Sequence, residues 1–108
     1  MAHLPSELVH SVFRVDVGPA RNGYLIKAYG FVHTTGWTHA VLTPYVYVMP
    51  PRDGIWDFDF SAQPPSGISG PAVSEIEASL HWAAAPDFRG ARVHTKTNVV
   101  VGMVLVAA

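Results

Sequence analysis

Apolar and polar residues alternate with a period of two along most of this chain, in segments cut at short intervals by glycine and proline. Successive side chains of an extended strand point to opposite faces, so the pattern predicts half-buried strands. The first segment, Leu8 to Val17, places Val9, Phe13, Val15 and Val17 on one face and His10, Arg14 and Asp16 on the other. Gly18-Pro19 is expected to end it, and Arg21-Asn22-Gly23 supplies a turn, Asn-Gly being a strong hairpin dipeptide. The second segment, Tyr24 to Thr35, sets Tyr24, Ile26, Ala28, Gly30 and Val32 against Leu25, Lys27, Tyr29, Phe31 and His33. Gly36-Trp37 makes the next turn.

The stretch Val41 to Phe60 is the most regular. It reads as two strands joined by Pro50-Pro51-Arg52-Asp53-Gly54. Val48 opposite Trp56, Val46 opposite Phe58 and Pro44 opposite Phe60 would make a wholly apolar face. Tyr47 then meets Asp57 and Tyr45 meets Asp59 on the other face. A slip of one residue would mix polar and apolar side chains on both faces, so the pairing must keep its parity. Pro44 has no N–H to give a neighbour, which predicts an edge or bulged strand.

Residues 61–72 read as an irregular connection. Residues 75–82 carry a conflict. Ser74 and Glu77 have the spacing of a helix capping box, yet Glu75, Glu77, Ser79 and His81 alternate without a break with Ile76, Ala78, Leu80 and Trp82. The alternation favours a strand. After a turn around Ala85-Pro86-Asp87, a segment Ala91 to Thr97 alternates again. The terminal run from Val99 is apolar on both faces, the mark of a strand covered on both sides, in mid-sheet or at a subunit contact.

About seven strands and little helix predict a single all-β domain over residues 1–108, an antiparallel β-sandwich or flattened barrel, with 1–7 a flexible N-terminal segment. An immunoglobulin-like or transthyretin-like architecture suits this pattern.

Composition sharpens the picture at one point. Charged residues make up 14% of the chain and hydrophobic ones 49%, where a soluble domain ordinarily carries about 25% charge. A small domain has much surface to cover for its volume, so a homo-oligomer is expected. Seven Lys+Arg against eight Asp+Glu, a net charge of −1, leave no basic patch for nucleic acid. No signal-peptide pattern or membrane-length apolar run is visible, so no membrane partner and a cytoplasmic location are expected. The chain has no cysteine. P-loop, dinucleotide and nucleophile-elbow patterns are missing too, and no cofactor is expected.

Three groups of residues are candidate chemistry. Tyr45, Tyr47, Asp57 and Asp59 share a face; paired carboxylates beside phenols suit an acid/base pair or a polyhydroxylated ligand, and equally suit a hydrogen-bonded surface. His33 and His39 flank the Thr34–Thr38 turn and can meet across it as a ligand site, although with no His-x-His pair among six histidines a metal is not expected. Trp37, at that turn, is a candidate for stacking on a sugar, for a subunit contact, or for packing back onto its own domain.

These observations point first to a small oligomeric β-sandwich acting as a binding or structural module for a partner or small ligand. The alternatives are a small enzyme with an interface active site using Asp57 or Asp59 with a neighbouring Tyr or His, and a carbohydrate-binding module using Trp37.

Overall fold

The computed structural model describes residues 6–66, 70–83 and 87–104. Most of the expected N-terminal segment, residues 67–69 of the long connection, residues 84–86 and the last four residues lie outside them. In chain order the strands are β1 (Glu7–Leu8), β2 (Ser11–Ala20), β3 (Gly23–Thr34), β4 (Thr38–Pro44), β5 (Ile55–Gln63), β6 (Pro71–Ala83), β7 (Gly90–His94) and β8 (Val99–Met103). No helix occurs among the described residues, and 75–82 is strand, as its alternation predicts. The architecture is two packed sheets. One is antiparallel, ordered β2-β3-β6; in the other, β5 is hydrogen-bonded to β1, β4 and β7, and β8 follows β7.

The core lies between the sheets. Val12, Val15, Val17, Ile26, Ala28 and Val32 from one meet Leu42, Phe58, Phe60, Ala91 and Val93 from the other. The inward set of β3 is the expected one. On β2 the phase changes: a bulge between Val12 and Arg14 turns Val12 inward, 1% exposed, and leaves Phe13 outside, 47% exposed and resting on Phe31 with ring centroids 4.8 Å apart. Strict alternation therefore misplaces Phe13, because one extra residue shifts the parity between Val12 and Arg14, while Val9, ahead of the bulge, is buried as expected. Gly18-Pro19 does not end β2 either. The strand runs on to Ala20, with Pro19 opposite Tyr24, which an edge position tolerates because an outward-facing N–H has no ladder partner to lose.

The two sheets nearly close along one side. Asn98 receives the Val12 N–H at 2.9 Å and donates to the Val12 carbonyl at 2.8 Å, and Val17 bridges Val104. Gly102 is required there, since a Cβ would lie 2.4 Å from the Val15 carbonyl oxygen.

Three further expectations change. The β4–β5 pairing keeps its parity but is shifted by two residues: Leu42 faces Phe60 and Pro44 faces Phe58. Beyond Pro44 one more ladder bond forms, Tyr45 N–H to the Asp57 carbonyl at 2.9 Å, and then the chain peels away. Val46 and Val48, expected on the apolar face, are 100% and 105% exposed. The reason is local. The next N–H facing this segment, that of Asp57, is taken by the Tyr47 hydroxyl at 3.0 Å, so a side chain replaces the ladder. Gly54 (φ 73°) closes the turn with a bond to the Pro51 carbonyl at 3.1 Å.

Secondly, His33 and His39 do not face each other, because β3 and β4 belong to different sheets. Thirdly, β8 is covered on one face only within this chain: Val99, Val101 and Met103 are exposed. Residues 61–63 and 71–72, expected as connection, are strand, and Thr95–Thr97, expected as strand, form the β7–β8 turn.

Candidate functional site

Asp57 and Asp59 are two residues apart on β5, so both project from the outer face of its sheet. β7 runs parallel to β5 and sets Arg92 beside Asp57 and His94 beside Asp59 on that same face. From the other side the peeled segment after β4 brings Tyr45 and Tyr47. The four residues singled out from the sequence therefore do come together, joined by Arg92 and His94. Those two were missed because parallel pairing of β5 with a strand some thirty residues later leaves no local signal. Their own alternation, Arg92 and His94 on one face of a strand, was the only available hint.

Asp57 is the centre of the cluster. Its Oδ1 accepts from His94 Nε2 at 2.7 Å and from Arg92 Nη1 at 3.1 Å. Its Oδ2 accepts from the Tyr47 hydroxyl. Burial alone would raise its pKa, but hydrogen bonds from His94, Tyr47 and Arg92 and the Arg92 charge together hold the carboxyl below its ordinary value. Arg92 also reaches Asp53 at 3.3 Å, and its own pKa is raised first by the Asp57 hydrogen bond. Asp53 in turn accepts the Ile55 N–H at 3.0 Å, the main cause of its lowered pKa.

Asp59 is simpler. It accepts from the Tyr45 hydroxyl at 2.9 Å, and the Tyr45 ring stacks on His94, centroids 5.1 Å apart. Partial desolvation, reinforced by that hydrogen bond and by the charges of Asp59 and Asp57, pushes Tyr45 up to about 12. Tyr47 is raised as well, first by desolvation and then by its bond to Asp57. Both phenols are therefore protonated and Asp57 is ionised throughout the neutral range.

Two concavities lie away from this cluster. A shallow one of about 280 Å³ is lined by Tyr29, Glu75, Ile76 and Glu77. The other, about 160 Å³, is lined by Leu8, His10, Val32, His33, Trp37 and Lys96. Trp37 and His33 thus share a cleft, and His33 packs on His10 with ring centroids 3.7 Å apart. His39 is not among its lining residues; its Nδ1 lies 3.0 Å from the Thr38 hydroxyl. The Trp37 ring is half-buried against the core with its N–H on Thr34 at 2.8 Å, the intramolecular packing considered for it. The cleft is smaller than the roughly 300–1,000 Å³ that encloses an ordinary organic ligand. Among the described residues no three His, Asp or Glu converge as metal ligands.

Compared with known protein families, curated proteins and solved structures, the chain matches none.

Proposed function

We propose that the protein is a non-enzymatic, self-associating β-sandwich that binds a partner protein through the segment Tyr45–Met49. The observation that carries this is the division of labour within that segment. Tyr45 and Tyr47 turn back onto the outer face of the β5 sheet and hydrogen-bond Asp59 and Asp57, while Val46, Val48 and Met49 stand in solvent. The Tyr–Asp–Arg–His cluster is in this reading an ordering device that holds apolar side chains outward. Its groups have protein partners, and the shifts of Asp57, Tyr45 and Tyr47 all move away from neutrality, the reverse of what an acid/base pair needs.

The occupant follows from shape. A valine that is wholly exposed touches nothing of its own chain, so no pocket here can enclose a small molecule around it. The concave apolar surface has to come from the partner, and pre-ordering the segment lowers the entropy cost of docking.

The full chain carrying a photo-crosslinking residue at Val48 identifies the partner, which is then purified. Burying two valines contributes about 1.5 kcal/mol each, so Val46→Ser/Val48→Ser should weaken its binding by about tenfold to hundredfold. Binding that is indifferent to the double substitution refutes the proposal, as does crosslinking only to lipid vesicles or only to another copy of the chain.

One observation favours the acid/base alternative: the 2.7 Å Asp57–His94 pair orients an imidazole on an open sheet face. It would require that Asp57→Asn abolish a turnover measured with wild type while leaving partner binding intact.

A further inference from the structure

The longest strand of the protein, β6, thirteen residues from Pro71 to Ala83, lies at the end of its sheet and among the described residues pairs with β3 alone. From Ser74 to Ala83 it does so one residue against one, without a bulge. Its far side therefore carries a long row of backbone donors and acceptors with no hydrogen-bonded strand among the described residues, although β4 of the other sheet packs near it. Proteins that remain single blunt such an edge with a short strand, a bulge, proline, lysine or an inward-pointing charge. The neighbouring edge strand β4 shows these devices: seven residues, an irregularity between Thr38 and Val41 with His39 in the left-handed region (φ 54°), and Pro44. The outer edge of β2 is covered by β8. On β6 such devices are confined to its first residues, Pro71 and an irregularity between Pro71 and Ser74; its inward face is Ser74, Ile76, Ala78, Leu80 and Trp82, and it carries no lysine.

We infer that β6 pairs antiparallel with β6 of a second copy, joining the two three-stranded sheets into one six-stranded sheet across a twofold axis. This rests on the reading of the protein as self-associating and supplies the surface. Opposed residues share a face, so the register is set by which residue meets itself on the axis. Glu77 there would oppose two carboxylates. Ile76 there would set Glu75 against the partner's Glu77, twice. Ala78 there sets Glu75 opposite the partner's His81, twice, with Glu77 opposite the partner's Ser79 and Ile76 opposite the partner's Leu80. Moving on to Ser79 also avoids like charges but shortens the paired stretch from Val73–Ala83 to Glu75–Ala83. Charge and length together select Ala78. Within its own chain the His81 Nε2 lies 2.7 Å from the Arg21 carbonyl, which leaves Nδ1 to meet the partner's Glu75.

The absence of cysteine makes the register measurable. On mild oxidation, the full chain bearing Ala78→Cys should form a disulfide-linked dimer. Glu77→Cys and Ser79→Cys should do so about tenfold more slowly, because each then sits diagonally from its own copy at about 7–8 Å, beyond easy disulfide reach. In sedimentation equilibrium, Glu75→Lys should raise the dimer dissociation constant about tenfold, since two symmetry-related pairs are reversed at once. Adding His81→Glu should restore it. These two side chains are exposed, so this arm does not depend on tolerance of a change at buried Ala78. A wild type that stays monomeric at every concentration overturns the inference and self-association with it. A dimer that crosslinks best at Glu77→Cys, or ignores Glu75→Lys, overturns the β6 pairing and leaves self-association standing.

Discussion

Replacing Asp57 by asparagine removes one charge from the cluster and almost no volume, and its cost can be worked out atom by atom. The side chain is 14% exposed and its two oxygens take three bonds, from His94, Arg92 and Tyr47. In the variant the amide oxygen can still accept from His94 and Arg92, while the amide NH2 turns toward Tyr47. The Tyr47 oxygen has a lone pair left beside the one that receives the Asp57 N–H. Geometry is therefore nearly preserved, and the loss is the charge assistance of these bonds. A hydrogen bond to a charged group contributes about 1.5–3 kcal/mol and a neutral one about 1, so the difference for two bonds to a partly exposed pair comes to about 1–2 kcal/mol. For a domain of this size that corresponds to a fall in Tm of roughly 5–10 °C.

Asp59 provides the internal control. It has one bond from an exposed tyrosine, and Asp59→Asn should stay within about 0.5 kcal/mol. Chemical denaturation of wild type and both variants at neutral pH measures the contrast. Its pH dependence follows from the direction of the Asp57 shift. A carboxyl whose folded pKa is lowered stabilises the fold fully above its unfolded value near 3.8 and loses that contribution as pH falls through the lower folded value. Wild type and Asp57→Asn should therefore converge in strongly acidic solution. Equal costs for the two variants at neutral pH, or a gap that persists in acid, would refute the account of Asp57 as the charged centre of the cluster.

Two further outcomes test other parts of the structure. Tyr45, raised to about 12, should ionise well above the ordinary phenol value in absorbance near 295 nm, and Asp59→Asn should lower it only in part, because desolvation is the larger cause. The unfolded phenol ionises near 10, so stability should be lost as pH rises between about 10 and 12; a Tyr45 that ionises near 10 in the folded protein would remove this contribution. On β2, Val12→Ala should cost about 1.5–2.5 kcal/mol and Phe13→Ala less than half of that, in reverse of their sizes, because the bulge buries the valine and exposes the ring. Thermal unfolding of the pair decides it, and the larger loss at Phe13 would mean that no bulge forms there.

The limits of reading this fold from the sequence follow from what alternation can carry. Period-two patterning assigns each residue a face relative to its neighbours, and β3 over 24–32, β5 over 56–62 and β6 over 74–82 obey it. It cannot count: one extra residue at Phe13 turns Val12 inward and the ring outward, and a two-residue shift between β4 and β5 preserves the parity while changing every partner. The Tyr–Asp cluster survived that shift because side-chain length compensates for it. Tyr47 reaches back to Asp57 from a chain that has already left the sheet, and the same reach strands Val46 and Val48 in solvent. Patterning also has no access to pairings made late in sequence. Arg92 and His94 join the cluster through a parallel strand pair that only the closed topology creates. The low charge content, by contrast, pointed at surface in need of cover without locating it. The two proposed surfaces are an apolar segment held outward by partly exposed polar bonds and a strand edge with no hydrogen-bonded partner among the described residues. Those are different kinds of incompleteness. An exposed valine asks for a hollow in another molecule, whereas an unpaired edge can be completed by another copy of itself.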